Sequence, residues 1–239
     1  MPFIDKVFLV VSSSSQIPSF CKNYGVTPIL HEDIIPKNHL PTFNSSTIEL
    51  FIPKITGLAE EFVYFNDDVF PVKPCLETDF FVDGKAVCKL HAKDGQGSLG
   101  CWRMCVQNSW NLANKAVGVN INPNDGCMIP QHSAYTLLKS DCLGIMDRFG
   151  KEIDEACSKF RLMFNYTIYL YIFYQYLLGH TADKAHDFKY YHIWDIPEEI
   201  ASVGFGNKIV CLNDMGDEKG KNFESRRAMI KNMLEASLY

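Results

Sequence analysis

The stretch Phe62-Val63-Tyr64-Phe65-Asn66-Asp67-Asp68 decides how this chain is interpreted, because an apolar run ends abruptly in two adjacent carboxylates. The apolar part predicts a buried β-strand. Open α/β sheets form their ligand sites outside the carboxyl ends of strands. Two neighbouring aspartates repel each other unless a positive charge lies beside them, and hard oxygen ligands suit Mg²⁺ or Mn²⁺. A turn that caps the strand explains the same residues equally well, because Asn and Asp favour turns.

Strand and helix signals alternate over residues 1–70. Strands are predicted at Lys6 to Ser12 and at Val26 to Leu30. The polar run from Asn44 to Ser46 offers capping side chains for a helix that begins near Thr47 and ends around Gly57. This alternation predicts an α/β fold with a mostly parallel sheet.

The second half of the chain is predicted to be mainly helical, within one domain over residues 1–239. Residues 71–130 form a loop-rich insertion with a hairpin and a helix from Cys101 to Ala116. Residues 131–205 form the helical part, including helices at Ala134 to Phe149 and at Leu162 to Gly179. Residues 206–239 return a strand at Lys208 to Leu212 and end in a helix from Phe223 to Leu238.

Composition indicates a soluble, reduced protein. The net charge of -5 argues against nucleic acid as a partner, and no secretory signal is visible at the start. Nine cysteines without a CxxC pair indicate buried thiols and a cytoplasmic location. The uncharged stretch from Leu162 to Gly179 is at the short limit for a membrane span and contains polar residues. We therefore expect a buried core helix there and no membrane span.

A second apolar run also ends in Asn and Asp, at Val210-Cys211-Leu212-Asn213-Asp214. Two strand ends of this kind are expected to converge at one edge of the sheet and to form a shared polar site. Turn chemistry again explains either run alone.

Several segments, in this order and spacing, resemble the Stealth proteins, a family of sugar-phosphate transferases. Its second conserved region is similar to residues 31–36, 40–45, 48–49 and 64–68. Its third region is similar to residues 130–132, Lys139 and residues 158–161, and its fourth to residues 209–214. The resemblance implies a sheet like that of nucleotide-sugar transferases. It also implies transfer of a hexose-1-phosphate, such as N-acetylglucosamine-1-phosphate, from a nucleotide sugar to a hydroxyl of a cell-surface polysaccharide or glycoprotein glycan.

The resemblance also implies roles for particular residues. His132 is the candidate base, because imidazole titrates near neutral pH, and Arg161 is the candidate phosphate clamp. Asp68 completes the catalytic set, and Asp67 and Asp214 are the candidate ligands of Mg²⁺ or Mn²⁺. The expected substrate contacts are Asn44, Ser45, Glu49, Asn66 and Asn213. Other roles remain open, because His132 could be a surface or capping residue and Arg161 could pair with Glu155.

The family's first region, which includes a strand ending near a Val-Asp-Gly element, has no counterpart before the second region here. Val82-Asp83-Gly84 lies in the wrong place to replace it. A missing N-terminal segment or a partner chain is therefore expected to complete the donor side of the site. The alternatives are a non-catalytic carbohydrate- or nucleotide-binding homologue and a plain glycosyltransferase. If the chain is a fragment of a eukaryotic member, the expected location is the Golgi lumen.

Overall fold

The computed structural model describes residues 1–92, 100–122, 126–193, 196, 200, 204–213 and 223–236. The strands are β1 (Val7–Val11), β2 (Val26–Leu30), β3 (Glu61–Tyr64), β4 (Val69–Pro71), β5 (Phe81–Val82), β6 (Lys85–Cys88), β7 (Leu90–Ala92), β8 (Met128–Pro130), β9 (Tyr135–Leu138), β10 (Thr181–Asp183), β11 (Phe188–His192) and β12 (Ile209–Asn213). The helices are α1 (Phe20–Tyr24), α2 (His31–Ile34), α3 (Ser45–Phe51), α4 (Cys101–Val117), α5 (Lys139–Glu155), α6 (Tyr169–Leu177) and α7 (Phe223–Ala236).

The fold is mixed α/β, but its sheets are small. Strands β1 and β2 pair in parallel, as do β6 with β10 and β11 with β12. Four pairs are antiparallel, namely β4 with β12, β3 with β9, β5 with β6 and β7 with β8. Among the described residues the pairs are thus three parallel and four antiparallel, so the expectation of a mostly parallel sheet is met only in part. Short turns, which permit only antiparallel pairing, join strands such as β5 and β6.

The Asp83-Gly84 pair forms the turn of the β5–β6 hairpin. Both residues have positive φ, 51° and 71°. A two-residue turn of this kind matches the twist of the flanking strands, and Asp-Gly is a favoured sequence for it. The hairpin predicted within residues 71–130 is therefore present, and the Val82-Asp83-Gly84 run is accounted for as turn chemistry.

The predicted helix from Ala134 to Phe149 is wrong in its first turn. Residues Tyr135–Leu138 instead form β9, and all four side chains are buried. Strand β9 pairs antiparallel with β3 over its whole length, so tertiary pairing overrides the local helical pattern. The helix that follows, α5, begins only at Lys139.

Two further helices are shorter than predicted. Helix α3 is capped by Asn44, as expected, but it ends at Phe51 and passes into a 3-10 turn at Ile52–Lys54. Pro53 lies in that turn and has no N–H to donate to the preceding helix. Helix α6 begins only at Tyr169. The residues of the uncharged stretch before it form a loop that is held by hydrogen bonds.

Helix α6 is the centre of the largest hydrophobic cluster. Seven consecutive residues, Tyr169 through Gln175, are buried, and the helix packs against α4 and α5. The prediction of a core helix is thus confirmed for this segment. Among the helices of the described residues, none has both the length and the apolarity needed to cross a bilayer.

Candidate active site at the strand ends

The Asn-Asp-Asp run forms the turn that joins β3 to β4. The carbonyl of Asn66 accepts a hydrogen bond from the Val69 N–H at 3.1 Å, so the backbone is a turn, as the simpler interpretation predicts. The same turn is tied to β12, because the Leu212 N–H donates to the Asp68 carbonyl at 2.8 Å. The turn therefore carries the Asp68 side chain to the end of β12, where the second Asn-Asp run lies.

Four side chains meet at this point, and we call Asp68, His132, Cys211 and Asn213 the strand-end cluster. Asp68 Oδ2 lies 3.4 Å from His132 Nε2, and it accepts from Cys211 Sγ at 3.3 Å and from Asn213 Nδ2 at 3.3 Å. Strand β4 pairs with β12, which explains how residues 143 positions or more apart come together. The two strand ends thus converge, as the sequence predicts.

Asp68 is held in its ionised form. Burial alone would raise the pKa of Asp68, but hydrogen bonds from His132, Cys211 and Asn213 together lower it. Burial and the adjacent Asp68 charge raise the pKa of the Cys211 thiol. Cys211 is therefore a neutral donor to the carboxylate and not a thiolate nucleophile. The other oxygen, Asp68 Oδ1, is buried and has no hydrogen-bond partner within the described part of the chain.

Two tyrosines that the sequence analysis did not select hold the other side of His132. His132 Nδ1 lies 2.8 Å from the Tyr135 hydroxyl, which lies 3.1 Å from the Tyr169 hydroxyl. Burial raises the pKa of Tyr169 to about 12, so its hydroxyl stays protonated at neutral pH. The signal was present in the sequence, since Tyr135 follows His132 by three residues, but it required β9 to be recognised as a strand.

Glu49 is a buried carboxyl group of helix α3. Its side chain is 8% exposed, and its Oε2 accepts from the Ile168 N–H at 3.3 Å. Burial raises the pKa of Glu49 from the usual 4.5 to about 7, against opposing effects of the Ile168 hydrogen bond and of the Arg161 and His132 charges. A carboxyl group shifted in this way is typical of functional sites.

Arg161 is held at the start of helix α3. Its Nη2 donates to Ser45 Oγ at 2.6 Å, and the residue is exposed. The alternative pairing of Arg161 with Glu155 is not formed, and Glu155 lies 3.8 Å from Lys151. Arg161 and Ser45 thus remain accessible as a pair to an anionic ligand.

Asn44 belongs to a separate buried network, which we call the amide cluster: Thr42, Asn44, Thr47, Ser158 and Asn165. Asn44 is 2% exposed, its Oδ1 caps α3 by accepting from the Ser46 N–H, and its Nδ2 lies 3.0 Å from Asn165 Oδ1. Its amide is thus engaged within the protein, and the predicted contact with substrate stays a prediction.

The remaining predicted residues lie around the turn. Asn66 is half-buried and Asp67 is exposed at the tip. Burial is the largest cause that raises the pKa values of Tyr64 and Cys211, followed by the charge of Glu49 for Tyr64 and of Asp68 for Cys211. The Asp67 charge adds to both effects, so Asp67 lies near the same region. Asp214 lies outside the described residues.

Among Asp68, His132 and Cys211, the residue that suits a hard divalent cation is Asp68, because its carboxylate provides oxygen ligands. Asp68, His132 and Cys211 could together surround an ion, since their ligand atoms lie within 4.8 Å of one another. The Cys211 thiol is protonated and is a poor ligand for Mg²⁺ or Mn²⁺. The unpartnered oxygen Asp68 Oδ1 suits such an ion, because Mg²⁺ is commonly held by one or two carboxylates together with substrate phosphates.

Comparisons with known proteins match a part of the chain that includes Asp68. Residues 1–88 match the family model for Stealth protein CR2, conserved region 2. A capsular polysaccharide phosphotransferase of Haemophilus influenzae is 32% identical over 169 residues, which cover 66% of this chain and 44% of that protein. A capsular polysaccharide phosphotransferase of Actinobacillus suis is 28% identical over 244 residues, covering 93% of this chain and 64% of its own length.

A third relative matches a shorter segment more strongly. An exopolysaccharide phosphotransferase of Lactiplantibacillus plantarum is 48% identical over 82 residues, which are 34% of this chain and 24% of that protein. The chain thus spans less than two thirds of the length of each of these three relatives. Residues 1–88 thus match the second conserved region of the Stealth proteins, and the chain is similar to relatives named capsular and exopolysaccharide phosphotransferases.

Proposed function

We propose that this chain transfers a hexose-1-phosphate from a nucleotide sugar to a hydroxyl group of a growing cell-surface polysaccharide. The observation that carries the proposal is the contact between Asp68 and His132, 3.4 Å apart at the meeting of two strand ends. This pair lies within a chain that matches the second conserved region of the Stealth proteins and whose relatives are named capsular or exopolysaccharide phosphotransferases.

The proposed reaction exchanges one phosphoanhydride bond for one phosphodiester bond. The acceptor oxygen attacks the phosphorus that carries the sugar, the bond between the two phosphates of the nucleotide sugar breaks, and nucleoside monophosphate leaves. The acceptor hydroxyl loses its proton to His132, whose side chain is 36% exposed beside Asp68. The Tyr135 hydroxyl orients the imidazole through its 2.8 Å hydrogen bond with Nδ1, and the Tyr169 hydroxyl in turn holds Tyr135 at 3.1 Å.

Two groups, Arg161 and a divalent cation, would neutralise the negative charge of the migrating phosphate. Arg161 offers a planar guanidinium whose fork matches phosphate oxygens, and Ser45 fixes its position. A divalent cation held by Asp68, with Asp67 and Asp214 as the further candidate ligands, supplies neutralisation of the phosphate oxygens when bound. We place the activity in the cytoplasm, because no disulfide joins cysteines among the described residues.

The nucleotide product tests this proposal. The chain is incubated with Mg²⁺ or Mn²⁺ and a panel of nucleotide sugars that begins with UDP-N-acetylglucosamine, and the nucleotides are separated by chromatography. Sugar-phosphate transfer releases nucleoside monophosphate, and release should stop when the metal is chelated.

Two outcomes would instead support the alternatives. Release of nucleoside diphosphate indicates a plain glycosyltransferase, because the phosphate then stays on the nucleotide. Binding of nucleotide sugar or glycan without release indicates a binding module. Activity that returns only when an N-terminal segment from a longer relative is supplied supports a site completed by that segment.

A further inference from the structure

An exposed aromatic pair lies beside Arg161. Phe43 is 69% exposed and Phe160 is 60% exposed, and their rings stack with centroids 5.7 Å apart at an interplanar angle of 16°. Residues Leu162, Met163 and Phe164 continue the exposed apolar surface along the same loop. Contiguous exposed apolar surface with a polar rim is typical of interaction sites.

The pair does not sit on a loosely held loop. The Phe43 N–H donates to the Lys159 carbonyl at 2.8 Å, which joins the two segments directly. Beneath them, the amide cluster links the same segments, with Asn165 Nδ2 donating to Ser158 Oγ at 2.8 Å. Asn165 Oδ1 also accepts from the Leu162 N–H at 2.6 Å. A fully bonded buried network therefore holds the two rings in a fixed arrangement with their outer faces open.

The charge around the pair is positive although the chain as a whole carries -5. Lys159 Nζ lies 5.7 Å from the centroid of each ring. Arg161 follows Phe160 directly and bonds Ser45, two residues after Phe43. The surface thus combines flat apolar rings with two cations, which complements a ligand that has both apolar faces and negative charges.

Arg161, next to Phe160 in the chain, links the pair to Glu49. Arg161 and His132 both act electrostatically on Glu49, which places all three in one neighbourhood. A polymer that enters the site at Arg161 would therefore continue over the Phe43–Phe160 rings.

We propose that Phe43, Phe160 and Lys159 form an acceptor subsite for an anionic glycan, with sugar rings on the aromatic faces and a phosphodiester against Lys159. The identity of this ligand rests on the proposed function, because transfer of sugar phosphates yields a chain in which phosphodiesters link the sugars. The C–H face of a pyranose matches the electron-rich face of a phenyl ring, and the ammonium group matches the phosphodiester.

The test measures binding without turnover. The probe is an oligomer of N-acetylglucosamine 1-phosphate joined by phosphodiesters, and chitohexaose serves as the uncharged oligomer of the same sugar. Calorimetric titration should show tighter binding of the charged oligomer to the unaltered chain. Phe160→Leu should weaken both ligands about tenfold, which corresponds to about 1.4 kcal/mol.

Two further variants separate the ring from the charge. Lys159→Gln should weaken only the charged oligomer, to the level of chitohexaose. Tyr24→Leu, which alters a ring that is 79% exposed elsewhere, should leave both affinities unchanged. Melting temperatures should stay within a few degrees for all three, because each replaced side chain is exposed.

Leucine is chosen because it keeps the apolar surface and removes only the ring. If the unaltered chain sediments with phosphatidylglycerol vesicles, Phe160→Leu sediments equally, and neither oligomer binds, the surface is a membrane contact and the proposal is overturned. Equal oligomer affinity in the unaltered chain and Phe160→Leu also overturns it. Oligomer binding that follows the prediction in a chain that releases no nucleoside monophosphate supports the subsite and contradicts the proposed function, so the two failures are distinguishable.

Discussion

The strand-end cluster and the amide cluster are built from similar polar side chains in opposite states. In the amide cluster, Asn44 and Asn165 are 2% and 1% exposed, and each amide makes several hydrogen bonds within the protein. In the strand-end cluster, the side chains of Asp68 and His132 are 22% and 36% exposed and meet at 3.4 Å. Among the described residues, Asp68 Oδ1 has no hydrogen-bond partner.

The difference in pairing indicates different roles, with the amide cluster stabilising the fold and the strand-end cluster expected to take part in the reaction. A buried polar network with every group paired rigidifies the fold, whereas a carboxylate with an unpartnered oxygen costs stability and persists where a ligand will pair with it. Residues of the two clusters look alike in the sequence, since Asn44 and Asp68 both belong to short Asn- or Asp-containing runs. We expect substitutions in one cluster to alter turnover, and substitutions in the other to alter the free energy of unfolding.

The largest effect is expected for Asp68→Asn. Loss of the negative charge removes the partner of His132 and the candidate metal ligand, so turnover should fall about a thousandfold. The free energy of unfolding should change by at most about 2 kcal/mol, because asparagine keeps the size and shape of the aspartate. Steady-state release of nucleoside monophosphate and urea unfolding measure the two effects. Asp147→Asn, at an exposed site on α5, is the matched control and should leave both unchanged.

The opposite pattern is expected for Asn165→Ala. This change leaves buried groups of Asn44 and Ser158 and the Ala156 carbonyl without their partner, which should lower the free energy of unfolding by about 3 kcal/mol. Urea unfolding followed by circular dichroism measures this. Release of nucleoside monophosphate per folded molecule should persist at a temperature where the variant stays folded, and its complete loss there would place Asn165 in the chemistry.

Glu49 should impose a pH dependence on stability. Its pKa is raised from 4.5 to about 7 by burial, so the folded state favours the protonated form. The stability that this preference contributes is present below pH 4.5 and is lost as pH rises through about 7, a change on the order of 3 kcal/mol. Unfolding free energies of the native chain and Glu49→Gln should therefore diverge over this window, with the glutamine variant gaining relative stability. Parallel curves from pH 4 to 8 would contradict the shifted pKa.

The smallest effect is expected for Tyr135→Phe. The variant keeps the buried ring but removes the hydroxyl that contacts His132 Nδ1, so kcat should fall about tenfold while KM for the nucleotide sugar stays unchanged. Tyr174→Phe, at another buried tyrosine of the same core, controls for the loss of a hydroxyl group. A rise in KM without a change in kcat would show that Tyr135 shapes substrate binding and does not position the imidazole.

Local signals predicted the elements that carry the site better than the way they pair. The apolar run before Asn66 and the run before Asn213 both form strands, because short β-rich segments bounded by turn residues specify strands locally. The pairing of β4 with β12, which brings Asp68 to Cys211, depends on contacts across 143 residues, and no local pattern encodes it.

The same limit explains the residues that were missed. Tyr135 was assigned to a helix, whereas its pairing with Tyr64 across β3 and β9 fixes the direction of its side chain. The distinction between Asn44 and Asp68 also depends on burial and on hydrogen bonds to distant residues. Side-chain type predicts which groups can do chemistry, and tertiary structure decides which of them remain unpaired.

The central claim is that the strand-end cluster moves a phosphate together with its sugar. The most direct measurement uses a nucleotide sugar with ³²P in the phosphate next to the sugar, a phosphodiester-linked acceptor oligomer, and the native chain beside Asp68→Asn. The account predicts that label enters the oligomer with the native chain, together with equimolar nucleoside monophosphate, and that transfer falls to background with the variant. Label that stays in nucleoside diphosphate, or transfer by Asp68→Asn at the native rate, would contradict it.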